Sequence, residues 1–208
     1  KVLRKGDKIT DRYGGKGVIS AILPDDQMPL YYRNGNWYPV DAIYNSSTII
    51  NRLNPGQSFE TELTWIGSKL LEAIGTYWYP AKNDDMINGM SYLNRSAIIN
   101  DAEQTVLKYL SMINIDYATD FHRIIMSTPI EVRVEDMDYL IESGNIPVVI
   151  TPMKNEMTLE ILKNIYNTFP WIKEEYLYIN QKDSNGNIRK IRTNRPLVVG
   201  KKYIYRLK

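Results

Sequence analysis

The chain has 208 residues, 43% of them hydrophobic, enough to bury a core in one or two domains and too apolar for a disordered tail. With no cysteine it excludes a disulfide framework and a thiolate zinc site, and its longest aliphatic run, Ile146 to Ile150 around Pro147, is far short of the roughly 20 residues of a membrane span. The net charge of +2 conceals an asymmetry: residues 1–17 hold six Lys or Arg against two Asp, residues 189–208 hold eight against no acid, and the acidic excess lies between them.

Two basic ends on an acidic body suit a polyanion, either nucleic acid or nucleotide phosphate, but equally suit solvated surface strands. The chain opens on Lys1 rather than methionine and so reads as a segment of a longer protein.

The first elements read as strands. Lys8 to Thr10 alternates weakly, Gly14-Gly15 turns the chain, and Val18 to Leu23 is an apolar, partly β-branched run that Pro24 ends. A hairpin follows, with Leu30 to Tyr32 and Trp37 to Tyr44 flanking an Asn34-Gly35 turn. Asn54-Pro55-Gly56-Gln57 then announces a helix: Asn54 caps, Pro55 suits the first turn and Gln57 closes a capping box. Phe59, Leu63, Ile66 and Leu70 share one face, and Gly75 with the Trp78-Tyr79-Pro80 region is expected to end the helix. A second helix is expected from Asn100, with Glu103 three residues on, burying Leu107, Leu110 and Ile113; shorter helices are expected over 134–143 and 158–169. The tail returns to strands at Tyr176 to Ile179, Ile188 to Arg192, Pro196 to Val199 and Tyr203 to Leu207, with a turn at Asn185-Gly186. This order allows a sheet or barrel built from both ends of the chain around a helical middle.

Most familiar chemistry is absent from the pattern. A P-loop would need a glycine where Thr10 stands and Ser or Thr where Gly17 stands, and no dinucleotide-binding glycine pattern occurs. His122, the only histidine, sits in Asp120-Phe121-His122-Arg123 as an ordinary imidazole rather than a metal ligand or base. Asp25-Asp26, Asp84-Asp85 and Glu135-Asp136-x-Asp138 could hold magnesium in principle, but the last lies at an expected helix start, where acids cap and oppose the dipole. The Asp183 to Asn187 stretch reads as a hairpin turn, not a calcium loop. What remains is Lys8 and Lys16 around a glycine turn. Gly14, Gly15 and Gly17 allow close backbone approach, and the two ammoniums could bind phosphate oxygens if they converge; otherwise this is a tight hairpin with two surface lysines.

Five stretches in order resemble one family. GDKITDRYGGKGVIS from Gly6, ILPDDQMP from Ile22, PVD from Pro39, NRLNPGQ from Asn51 and RPLVVGKKYIYRLK from Arg195 are similar to the catalytic C-terminal part of the β subunit of multisubunit DNA-directed RNA polymerases. The family pattern runs approximately G-D-K-x-x-x-R-H-G-x-K-G-V, P-x-E-D-M-P, D-G-x-P-V-D, S-R-M-N-x-G-Q and V-G-x-x-Y-x-x-K-L. Residues 76–135 match no part of it. Tyr13 replaces the family histidine, Gly15 a polar residue, Gln27 an acid and Leu53 a methionine, a divergence that resembles a large bacteriophage's own polymerase, in which β is split into separate chains.

The resemblance implies an α+β fold in which both ends contribute to a double-psi β-barrel, with residues 1–60 forming the active-centre segment, 61–175 a mainly helical insertion and 176–208 returning strands. It implies nucleotidyl transfer within a multisubunit enzyme in the cytoplasm of a bacterial host. Lys8 and Lys16 would hold phosphates of the initiating nucleotide or the RNA 3′ end, Arg52 would reach the incoming nucleoside triphosphate, and Asp7 and Arg12 would support them. The implied partners are a β-prime-like subunit that carries the magnesium ions, the remainder of β, template DNA, product RNA and nucleoside triphosphates, with no membrane. A stand-alone module binding RNA or single-stranded DNA is the alternative reading.

Overall fold

A computed structural model of the chain describes residues 2–33, 35–45, 55–88, 92–150 and 157–207, with side chains at 83–88 and 92–95 left undescribed. Among the described residues the fold is α+β, with seven strands and five helices. The strands are β1 (Lys8–Asp11), β2 (Lys16–Val18), β3 (Leu30–Arg33), β4 (Asn36–Pro39), β5 (Tyr178–Lys182), β6 (Ile188–Arg192) and β7 (Ile204–Arg206). The helices are α1 (Gly56–Asn88), α2 (Tyr92–Ile113), α3 (Ile115–Ser127), α4 (Ile130–Ser143) and α5 (Leu159–Thr168). The chain divides into two compact units: residues 1–62 with 173–208, and residues 63–172.

The first unit holds two open antiparallel sheets, in strand orders β2-β1-β7 and β4-β3-β5-β6. Each joins strands from both ends of the chain, because β1 pairs with β7 and β3 with β5. The hairpin turns carry the conformations that their residues favour: Gly35 has φ 80°, and Gly186 has φ 83° in a turn where the Asp183 carboxylate accepts the N–H of Asn185 and Asn187. Three strand expectations shorten. The apolar run after Lys16 leaves the ladder at Val18, and Val18, Ile22 and Leu23 are exposed, with no strand pairing 20–23 among the described residues. The strand from Trp37 stops at Pro39, and Pro196 to Val199 makes only an isolated bridge, Leu197 to Glu175.

The second unit is helical. Leu63, Ile66, Leu70, Leu71 and Ile74 of α1 are fully or almost fully buried, as are Ile99, Val106, Tyr109 and Leu110 of α2 and Ile165 of α5. Leu107, expected in this core, is half-buried, and Val106 and Tyr109 take the inward positions. The Tyr109 hydroxyl donates to the Leu63 carbonyl at 2.5 Å. Helix α2 begins eight residues before the expected Asn100. Asn114 caps α3 by accepting the Tyr117 N–H, which ends α2 and starts a new helix within one residue. That signal was present in the sequence, and α3 is an addition to the expected elements.

The main correction concerns α1, which runs through Gly75 and Pro80 to Asn88. Gly75 is a packing residue rather than a stop, since a Cβ there would lie 3.4 Å from Ile141 Cγ2. Pro80 is accommodated because the helix is gripped on both sides of it: Trp78 Nε1 and Lys82 Nζ donate to the two oxygens of Asp138, at 2.7 and 2.6 Å. This also corrects the reading of the Glu135-Asp136-x-Asp138 group. Helix α4 starts at Ile130 after Pro129, so these acids lie beyond its first turn and Asp138 serves as the anchor for α1. His122 is exposed on α3. Replacing Asp138 with alanine leaves the indole N–H of the buried Trp78 without an acceptor; the expected cost is about 2 kcal/mol, read as a lower denaturant midpoint.

Candidate functional site

The site lies in the first unit, on the three-stranded sheet. Gly6 and Gly14, at φ 91° and 78°, turn the chain at the two ends of the β1–β2 hairpin. Register pairs Lys8 with Val18 and Thr10 with Lys16. Cross-strand partners share a face and so do residues two apart, so Lys8 and Lys16 project from one face as diagonal neighbours, about 7–8 Å apart at the backbone. Both are exposed, and neither side chain has an ion pair or hydrogen bond among the described residues. The sequence therefore brings two uncompensated ammoniums together by strand pairing alone.

Tyr205 of β7 pairs with Thr10 and extends the same face. Beyond the strand end, the Arg12 guanidinium stands 4.4 Å from the centre of the Tyr203 ring, and the Tyr203 and Tyr205 rings are 5.8 Å apart. Asp7 accepts the Arg4 N–H at 2.9 Å and pairs with Arg206 at 2.7 Å, tying the start of β1 to β7. Arg52 and the capping residue Asn54 lie outside the described residues.

The opposite face carries Ile9, Asp11 and Ile204, and here stands a set of residues that sequence reasoning did not single out. Asp11 is 4% exposed. Its Oδ1 accepts the N–H of Tyr13 at 2.8 Å and of Gly15 at 2.7 Å, while Oδ2 accepts from Lys202 Nζ at 2.7 Å and from Gln57 Nε2. Gln57, whose expected capping-box partner Asn54 lies outside the described residues, donates its side-chain amide to this carboxylate. Lys202 is almost as buried as Asp11 and lies 4.8 Å from the centre of the Tyr44 ring. Gly15 is required by close approach: a Cβ would fall 2.9 Å from Asp11 Cγ and nearer still to the carboxylate oxygen and the Gln57 amide. Lys202 was hidden in the sequence by the basic run around it, and only an acid at position 11 beside a double glycine hinted at a local carboxylate cap.

Burial pushes the Asp11 carboxyl up, but hydrogen bonds from Lys202, Gly15 and Tyr13 outweigh it and hold the group below the ordinary carboxylate value. Glu60, buried nearby, goes the other way: burial raises it, Arg12 and Lys202 pull it back only partly, and its Oε2 has no partner among the described residues. Burial and the Glu60 charge push the Tyr13 hydroxyl up to about 12, so it stays protonated at neutral pH.

The family model of RNA polymerase Rpb2, domain 6, matches residues 1–111, more than half of the chain and including residues 76–111, to which the sequence motifs gave no counterpart, and the chain belongs to this family. Among individual relatives, it is similar to the DNA-directed RNA polymerase β subunit of Syntrophus aciditrophicus, 38% identical over 92 residues that cover 42% of this chain and 6% of the relative. It is similar likewise to the β subunits of Ehrlichia ruminantium, 47% identical over 73 residues covering 35% and 5%, and of Gloeobacter violaceus, 48% identical over 65 residues covering 31% and 6%. The matched stretch thus spans about one-twentieth of the length of these curated relatives. Lys8, Lys16, Asp11 and Gln57 fall inside the family match and Lys202 falls outside it.

The two carboxylates give opposite pH signatures. Asp11 ionises at lower pH folded than unfolded, so it contributes stability at neutral pH that disappears as pH falls through the ordinary carboxylate range. Glu60 ionises at higher pH folded than unfolded, so its charge costs stability at neutral pH and not below that range. Chemical denaturation should accordingly show Glu60→Gln raising the midpoint at pH 7 and leaving it nearly unchanged at the acid end, whereas Asp11→Asn lowers it at pH 7.

Proposed function

We propose that this chain is a segment of the β subunit of a DNA-directed RNA polymerase and that it supplies the positive charge that holds phosphates at the growing RNA end. The observation that carries this reading is the placement of Lys8 and Lys16 as diagonal neighbours on one exposed face, with no acid paired to either side chain among the described residues. An ammonium within reach of a phosphate oxygen forms a charge-assisted hydrogen bond worth about 1.5–3 kcal/mol, and two at this spacing can bracket one phosphate or two successive ones. Lys8 and Lys16 bind the initiating nucleotide or the RNA 3′ end, and Arg52, just before a helix start whose dipole also attracts anions, orients the incoming triphosphate. Asp7 and Arg12 play supporting parts, Asp7 through Arg206 and Arg12 through Tyr203.

In this reading the two sheets are portions of a double-psi barrel that the rest of the polymerase completes, with a β-prime-like subunit, the remainder of β, template DNA, RNA and nucleoside triphosphates as partners. Magnesium ions on the β-prime-like subunit would activate the attacking 3′ hydroxyl and stabilise the leaving pyrophosphate. In this reading this chain's part is positioning and charge neutralisation by Lys8, Lys16 and Arg52. The divergence at Tyr13, Gly15, Gln27 and Leu53 supports a bacteriophage enzyme with a split β subunit, working in the cytoplasm of its host. No helix among the described residues is long and apolar enough to cross a membrane.

In the assembled polymerase, Lys8→Ala or Lys16→Ala should lower use of the initiating nucleotide and extension by one to two orders of magnitude, about 1.4–2.7 kcal/mol, without loss of assembly. Unchanged transcription in both variants would overturn the assignment. Arg52→Ala should chiefly raise the KM for nucleoside triphosphates in steady-state extension assays. The Arg12, Tyr203 and Tyr205 group favours a second reading, a stand-alone module that stacks single-stranded nucleic acid; it requires binding by the isolated chain with a steep salt dependence.

A further inference from the structure

We infer that Asp11, Lys202 and Gln57 form a positioning clamp that sets Lys16 against Lys8, through the Tyr13 to Gly15 turn. The inference rests on the phosphate-binding role proposed for the two lysines. Three segments far apart in sequence meet at one carboxylate: the end of β1, the first turn of α1 and the stretch that leads into β7. Lys16 is the residue immediately after the clamped turn, and its place opposite Thr10 depends on where that turn ends. Asp11 fixes the turn by accepting two of its N–H groups on one oxygen, which leaves the other oxygen to be satisfied from elsewhere. Lys202 and Gln57 provide for it.

The charge is essential to the arrangement. A carboxylate this buried is strongly disfavoured unless an opposite charge and hydrogen bonds compensate it, and Lys202 is the cation the structure pairs with it. The short side of the turn is shaped to the same group, since Gly15 leaves its Cβ space to the carboxylate and the Gln57 amide. Lys202 touches no reacting group in this account; it acts through Asp11 and the turn. An acid at 11, a lysine at 202 and a glycine at 15 form one interdependent set, because a side chain at 15 would take the space of the Asp11 carboxylate and the Gln57 amide.

The test uses the reconstituted polymerase containing this chain. The double variant Asp11→Ala, Lys202→Met removes both members of the buried ion pair together, so neither is left without the other. It is expected to raise the KM for the initiating nucleotide about tenfold while leaving the KM for the nucleotide added during extension within twofold. In a Lys16→Ala background the same double variant should have no further effect, because the clamp then has nothing left to position. Gly15→Ala, which keeps both charges and intrudes on the clamp, should reproduce the selective KM rise. An unchanged initiating-nucleotide KM in both the double variant and Gly15→Ala, or an effect that persists undiminished in the Lys16→Ala background, overturns the clamp. Lys16→Ala without effect by itself overturns the phosphate-binding role, and the clamp's function with it.

Discussion

A carboxylate buried at the end of the first strand is the constraint around which the β unit is organised. Desolvating Asp11 would be prohibitive in isolation, and the fold meets the cost with donors from three places: its own turn, the first turn of a helix some 46 residues on, and a lysine near the other end of the chain. Strand pairing alone would allow the β1–β2 hairpin to slip or fray, since β2 has three residues and all are exposed. The buried charge removes that freedom. Only one register lets Tyr13 and Gly15 both donate to Asp11 while Gly15 faces it without a side chain.

The hairpin consequently separates two jobs by face. The inner face carries the buried ion pair, with its charge balanced; the outer face carries Lys8 and Lys16, with no acid paired to either among the described residues. Alternation along a strand makes this division automatic, because adjacent residues point opposite ways. Asp7 and Asp11, which precede Lys8 and Arg12 directly, are engaged with Arg206 and Lys202, so the acids nearest the two lysines are already occupied by other cations.

Much of the fold was legible in the sequence where the signal is local. The glycine turns at Gly35 and Gly186 marked both hairpins, and the Phe59, Leu63, Ile66, Leu70 spacing marked the buried face of α1. The errors arose where a local stop signal was overruled by a tertiary contact. Gly75 looked like a helix end but lies against Ile141, and Pro80 looked like a break but sits between two residues that hold Asp138. The placement of Lys8 and Lys16 on one hairpin was legible because the motif sets them on either side of a glycine turn. The clamp was not, because Lys202 is one of eight basic residues in its stretch of sequence and nothing local distinguishes the one that is buried.

The pairing of β1 with β7 also dictates an order of events during synthesis. The helical unit draws on residues 63–172 alone and can condense while later residues are still emerging, and the β3–β4 and β5–β6 hairpins are each local. The sheet that presents Lys8 and Lys16 has to wait, because its third strand and the lysine that neutralises Asp11 arrive nearly 200 residues after its first. Until then the first strand carries an unpaired edge and an uncompensated acid. A chain arrested before position 202 would therefore lack both the cation that neutralises Asp11 and the strand that pairs with β1, so the face that carries Lys8 and Lys16 is completed only once β7 has been made.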